Sequence, residues 1–97
     1  HRFTRTQQLF DDFVKVLTRV DFLLLLDIYP ASEKPIKGIS SKKLASQVSK
    51  NHNNVHYIGS KDPMVWLQEN YHEFSILITQ GAGTISRINN EIKKKWQ

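Results

Sequence analysis

The stretch Phe22-Leu23-Leu24-Leu25-Leu26-Asp27-Ile28 decides the fold. It is an apolar run without alternation, as a strand buried on both faces of a parallel sheet requires. Asp27 is its first charge and marks the C-terminal end of that strand. The run is far too short to span a bilayer, so no membrane partner is expected.

Upstream, the spacing predicts a helix over residues 5–19. Thr4 is its expected cap, and Gln7 three residues on completes a Thr-x-x-Gln capping box. Leu9, Phe13, Val16, Leu17 and Val20 recur at helical spacing and form the expected apolar face. Ahead of the helix stand His1, Arg2, Phe3 and Thr4. The chain opens without methionine, and we expect it to be part of a longer protein.

Downstream, residues 29–38 read as a loop, because Pro30 and Pro35 forbid regular structure and Gly38 allows a turn. A second helix is expected over residues 41–50, capped by Ser40, with Leu44, Ala45 and Val48 facing inward. Residues 51–54 form a polar turn and residues 55–58 a short second strand. Asp62-Pro63 is a helix start, a cap followed by proline at the first helical position. That third helix carries Val65, Trp66 and Leu67 and ends near His72. Residues 75–79 read as a third strand feeding Gln80-Gly81-Ala82-Gly83. A fourth helix follows, with Ile85, Ile88, Ile92 and Trp96 as its apolar stripe.

Strict alternation of helix and strand with short loops predicts an α/β fold. The expected architecture is a Rossmann-like, doubly wound parallel sheet. It is incomplete, with three visible strands, four helices and an upstream strand missing.

The chain has 97 residues, no cysteine and a formal charge of +5. Without cysteine there is neither a disulfide framework nor a cysteine zinc site. The positive balance has two readings, a solvated surface or an anionic partner. Much of the excess sits in Lys93, Lys94 and Lys95, where cations complement the end of a helix dipole. No RNA-type aromatic platform accompanies them, so nucleic acid is not the expected partner.

Ligands of open parallel sheets bind beyond the carboxyl ends of the strands. Three segments fall there: the one around His1, Arg2 and Arg5, the loop with Asp27, Tyr29 and Glu33, and the run Gln80, Gly81, Ala82, Gly83 and Thr84. Two arginines three residues apart suit a carboxylate or phosphate, because the guanidinium fork matches both. Equally, they read as two exposed arginines near a terminus. Gly81-Ala82-Gly83 reads either as part of a phosphate-binding fingerprint or as a tight strand-to-helix turn, and Ser86 stands where the third glycine of that fingerprint belongs. His52, His56 and His72 lack metal-ligand spacing and read as surface or loop histidines. No metal site, nucleophile elbow or Walker A loop is present, so the residues supply no catalytic group of their own.

Three blocks carry a resemblance. His1-Arg2-Phe3-Thr4-Arg5-Thr6 with Leu9-Phe10-Asp11-Asp12-Phe13 resembles an HRYTRT…L[FY]DDF segment. Leu24-Leu25-Leu26-Asp27-Ile28-Tyr29-Pro30-Ala31, with Glu33 and Pro35, resembles LLLxDVYPAxExP. Leu77-Ile78-Thr79-Gln80-Gly81-Ala82-Gly83 resembles LTQGAG. All three, in this order, resemble the bacterial Mur ligases, in the branch that joins L-alanine to UDP-N-acetylmuramate. Phe3 stands where tyrosine is common, and Thr84-Ile85 departs from the frequent asparagine-valine.

The resemblance implies that residues 1–97 are part of the C-terminal, amino-acid-binding domain of a cytoplasmic bacterial ligase of peptidoglycan synthesis. It implies ATP and Mg2+ as cofactors, held mainly by a central domain outside this chain. The remaining ligase domains are the implied partners, and this piece alone is expected to be inactive. In the family reaction the UDP-N-acetylmuramate carboxylate becomes an acyl phosphate that the alanine amine attacks. By the resemblance His1, Arg2 and Arg5 bind L-alanine, while Asp27, Tyr29, Glu33 and Gln80 to Thr84 line the same site. The alternative is a non-catalytic basic Rossmann-like domain binding a nucleotide or nucleic acid.

Overall fold

The computed structural model describes residues 2–73 and 75–96. It comprises two compact units, His1–Lys61 and Asp62–Gln97.

In the first unit the elements run α1 (Phe3–Gln8), α2 (Phe10–Leu17), β1 (Leu23–Leu26), α3 (Ser41–Ser49) and β2 (Val55–Gly59). The leucine run forms β1, which pairs in parallel with β2, as the α/β reading expects. Leu23, Leu24 and Leu25 stand opposite Val55, His56 and Tyr57, but Leu26 stands opposite Gly59, an irregularity that skips Ile58. The ladder extends one residue before β2 and one residue past β1. The Leu23 N–H donates to the Asn54 carbonyl at 2.9 Å and the Asp27 N–H to the Gly59 carbonyl at 3.1 Å.

Helix α3 is the crossover between the strands. Ser40 caps it, its hydroxyl oxygen accepting the Lys43 N–H at 3.0 Å. Leu44, Ala45 and Val48 are buried, as their spacing predicts. Val48 is fully buried and shares a core with Leu23 and Leu44. Phe10, Phe13, Val14, Leu17, Leu25 and Val55 pack around it.

The N-terminal helix departs from expectation in three ways. It breaks at Leu9 (φ −112°, ψ 18°) into α1 and α2. Thr4 lies inside α1 rather than at its cap, which is Arg2. The buried stripe is also rotated. Val16 and Val20 are exposed, and Phe10, Phe13, Val14 and Leu17 at i, i+3, i+4 and i+7 meet the core instead.

His52 is not a bystander on the surface. Its Nδ1 accepts the Asn54 N–H at 2.9 Å. The proton therefore sits on Nε2, which donates to the Val20 carbonyl. The ring ties the turn before β2 to the segment that follows α2.

The second unit contains α4 (Pro63–Asn70), a 3-10 turn (Tyr71–Glu73) and α5 (Ile85–Trp96). Asp62 caps α4 as its sequence demands, its carboxylate accepting the Met64 N–H at 3.0 Å. Met64, Leu67 and Ile88 are buried, and α4 packs on α5. The rings of Tyr71 and Trp96 meet with centroids 5.5 Å apart.

The expected third strand is absent among the described residues. Residues 75–80 carry no regular structure, and Ile76 and Ile78 are each 78% exposed. The visible sheet therefore has two strands, not three. A strand exists only as one side of a ladder, and apolar β-formers without a partner remain irregular.

Candidate functional site

Asp27 stands at the carboxyl edge of the sheet, and the chain then turns sharply at Pro30-Ala31-Ser32-Glu33. The Glu33 N–H donates to the Pro30 carbonyl at 2.9 Å. Ala31 and Ser32 both have positive φ, 50° and 70°. That is the signature of a type I′ turn, normally built from glycine and asparagine. With a Cβ, the left-handed region costs about 1–2 kcal/mol per residue, so the surroundings must hold this turn in place.

Glu33 is the hold. Its carboxylate accepts the Thr4 N–H at 3.1 Å and the Thr4 hydroxyl at 2.6 Å. The Thr4 N–H is one of the unpaired donors in the first turn of α1. These bonds, the hydroxyl first and then the backbone, keep the Glu33 carboxyl below its ordinary value of 4.5, and the charge of Arg2 adds to them. One contact thus fastens the loop after β1 to the segment that opens the chain. It brings Arg2 and Glu33 together, two of the residues singled out by the sequence.

The start of α1 is accordingly occupied by a carboxylate from the protein itself. Arg2 caps α1 and Arg5 lies in its last turn, both exposed. Among the described residues neither forms an ion pair. His1 lies outside the described residues. Tyr29 is 40% exposed on the loop.

Asp27 is exposed but not idle, because the Tyr57 hydroxyl donates to its Oδ1. This bond raises the pKa of Tyr57, and partial desolvation and the negative charge of Asp27 act in the same direction. Nearby, Phe3, Asp27, Ile28, Ser40 and Ser41 line a cavity of about 270 Å³. Sequence reasoning missed Thr4, Tyr57, Ser40 and Ser41 as members of this rim. Their roles arise from contacts between distant segments, and the local signals were the caps read at Thr4 and Ser40.

Comparison with known proteins gives the lineage. The UDP-N-acetylmuramate–L-alanine ligase of Rickettsia canadensis is 37% identical over 99 residues, covering 99% of this chain. The chain is a relative of these ligases. The enzyme of the same name from Blochmanniella floridana is 44% identical over 91 residues, covering 91% of the chain. The chain spans only 21% and 19% of the lengths of these two ligases. No protein-family model matches it.

Gln80, Gly81, Ala82, Gly83 and Thr84 belong to the second unit and precede α5. Gly81 and Gly83 have φ of 151° and 70°, so the backbone takes the turn that the glycines allow. Among the described residues no three His, Asp or Glu side chains cluster to hold a metal ion, and no helix is long and apolar enough to cross a membrane.

Proposed function

We propose that this chain is part of the C-terminal domain of a cytoplasmic bacterial ligase of peptidoglycan synthesis. The ligase joins L-alanine to UDP-N-acetylmuramate with ATP and Mg2+, and the chain binds the amino acid. The observation that carries this reading is the bond between Thr4 and Glu33. It sets the arginine-bearing segment and the loop after β1 on one rim. Relatedness to the ligases supports the same assignment.

In this reading Arg2 and Arg5 neutralise the alanine carboxylate. A charge-assisted contact of that kind is worth about 1.5–3 kcal/mol. Bound by its carboxylate, the amino acid presents its amine away from the arginines. The chain's contribution is then positioning, not proton transfer. His1 orients the amino acid, while Gln80, Gly81, Ala82, Gly83 and Thr84 are assigned to the ligase's active site by the resemblance alone. In this reading ATP and Mg2+ are held mainly by other domains of the ligase, and this piece alone has no ligase activity.

The test is steady-state kinetics of the full-length ligase carrying Arg2→Ala or Arg5→Ala. Loss of either contact raises the alanine KM by about tenfold or more, corresponding to about 1.4 kcal/mol per decade. An alanine KM unchanged in both variants refutes the role.

A further inference from the structure

Tyr57 was singled out by no sequence motif, yet three features of the fold converge on it. The first is the register. Tyr57 pairs with Leu25, and Asp27 lies two residues further along the chain, one past the end of β1, on the same face of the sheet because side chains alternate. The skip of Ile58 sets Gly59 opposite Leu26, and the Asp27 N–H is held by the Gly59 carbonyl at 3.1 Å. The backbone of Asp27 is thereby fixed while its side chain stays on the open edge.

The second feature is the bond itself. The Tyr57 hydroxyl donates to Oδ1 of Asp27. Among the described residues no hydrogen bond or ion pair engages Oδ2. The carboxylate is thus clamped at one oxygen and open at the other, beside the cavity lined by Phe3, Ile28, Ser40 and Ser41.

The third feature is Gly59. A Cβ at this position would lie 3.2 Å from the Tyr57 hydroxyl oxygen and 3.6 Å from Oδ2 of Asp27. Its φ of 63° is also one that L side chains rarely adopt. Glycine therefore keeps clear the space in which the tyrosine and the aspartate meet.

We propose that Tyr57 is a positioning residue for the amino-acid site: it holds the Asp27 carboxylate so that Oδ2 receives the ammonium group of the incoming amino acid. The proposal rests on the alanine-binding reading above and deepens it. Arg2 and Arg5 take one end of the zwitterion, and Asp27, oriented by Tyr57, takes the other. The ring of Tyr57 touches neither the substrate nor the reacting atoms.

The experiment uses the full-length ligase with Tyr57→Phe, Asp27→Asn and the double variant. Tyrosinate titration, followed by ultraviolet absorbance or by the ring resonances of Tyr57, reads the pair without recourse to activity. The Tyr57 titration, later than that of an ordinary tyrosine, falls back in Asp27→Asn. A titration unmoved by Asp27→Asn overturns the proposal.

Kinetics then read the role. Tyr57→Phe raises the alanine KM about tenfold or more, the effect of losing one hydrogen bond to a charged partner, with kcat and the ATP KM unchanged. In the double variant the alanine KM is no worse than in Asp27→Asn, since residues acting as one unit are not additive. A merely structural tyrosine would instead add its effect or change kcat. An alanine KM unchanged in Tyr57→Phe overturns the proposal.

Arg5→Ala in the same assay separates two failures. If Arg5→Ala weakens alanine and Tyr57→Phe does not, only the positioning role falls. If neither does, the alanine-binding reading falls with it.

Discussion

Replacing Val48 by alanine should cost about 2 kcal/mol more than the same replacement at Val16. Both valines lie in helices, Val48 in α3 and Val16 in α2. The gain in helix propensity, about 0.5 kcal/mol, therefore cancels between them. Burial does not cancel. Val48 is 0% exposed and Val16 is 59% exposed. At Val48 two methyl groups leave the core, a transfer loss of about 1.6 kcal/mol at about 0.8 kcal/mol each. An unrelaxed void of about 50 Å³ adds about 1 kcal/mol more. At Val16 the transfer loss is about 0.7 kcal/mol and no cavity forms, so helix propensity nearly offsets it. The assay is native-state hydrogen exchange of the buried α3 amides. There the Val48 variant opens about 30-fold more readily than the Val16 variant. Equal opening free energies, within about 0.5 kcal/mol, would refute the packing of α3 against β1 and α2.

Two further outcomes follow from the loop. The Glu33 carboxyl is held below its ordinary 4.5 in the folded state, so its contribution to stability is present above that value and is lost as the pH falls through the lowered one. The amide resonance of Thr4 should therefore stay unchanged from neutral pH down to the ordinary carboxylate range and move only below it. A Thr4 titration at or above 4.5 contradicts the bond. Ser32 holds a φ of 70° with a Cβ in place, so Ser32→Gly should stabilise the chain by up to about 1 kcal/mol. A loss of stability measured by denaturant titration would show that the turn is not strained.

What the letters revealed was mostly local. The leucine run, the cap at Ser40, the Asp62-Pro63 helix start and the Ile85, Ile88, Ile92 and Trp96 stripe each report on their own neighbourhood, and the structure has all of them. What stayed hidden was set by distant contacts. Thr4 reads as a cap because Gln7 follows it, yet Glu33, 29 residues away, takes both of its donors. His52 reads as a surface histidine, yet it bonds to Val20, 32 residues earlier. The link between Tyr57 and Asp27 joins residues 30 positions apart, through a strand pairing that no spacing rule announces. The segment Ser75-Ile76-Leu77-Ile78-Thr79 has strand composition, but composition does not provide a ladder. For the site, the arginine pair and the loop after β1 were legible as separate pieces, and what joins them was not.

The proposed function turns on Arg2, which caps α1, and Arg5, in its last turn, binding the carboxylate of the incoming amino acid. Its most direct measurement is the KM for L-alanine in the full-length ligase with Arg2→Ala and with Arg5→Ala, at saturating ATP and UDP-N-acetylmuramate. A rise of about tenfold or more is expected in each, with the KM for ATP unaltered. Wild-type alanine KM values in both variants would contradict it.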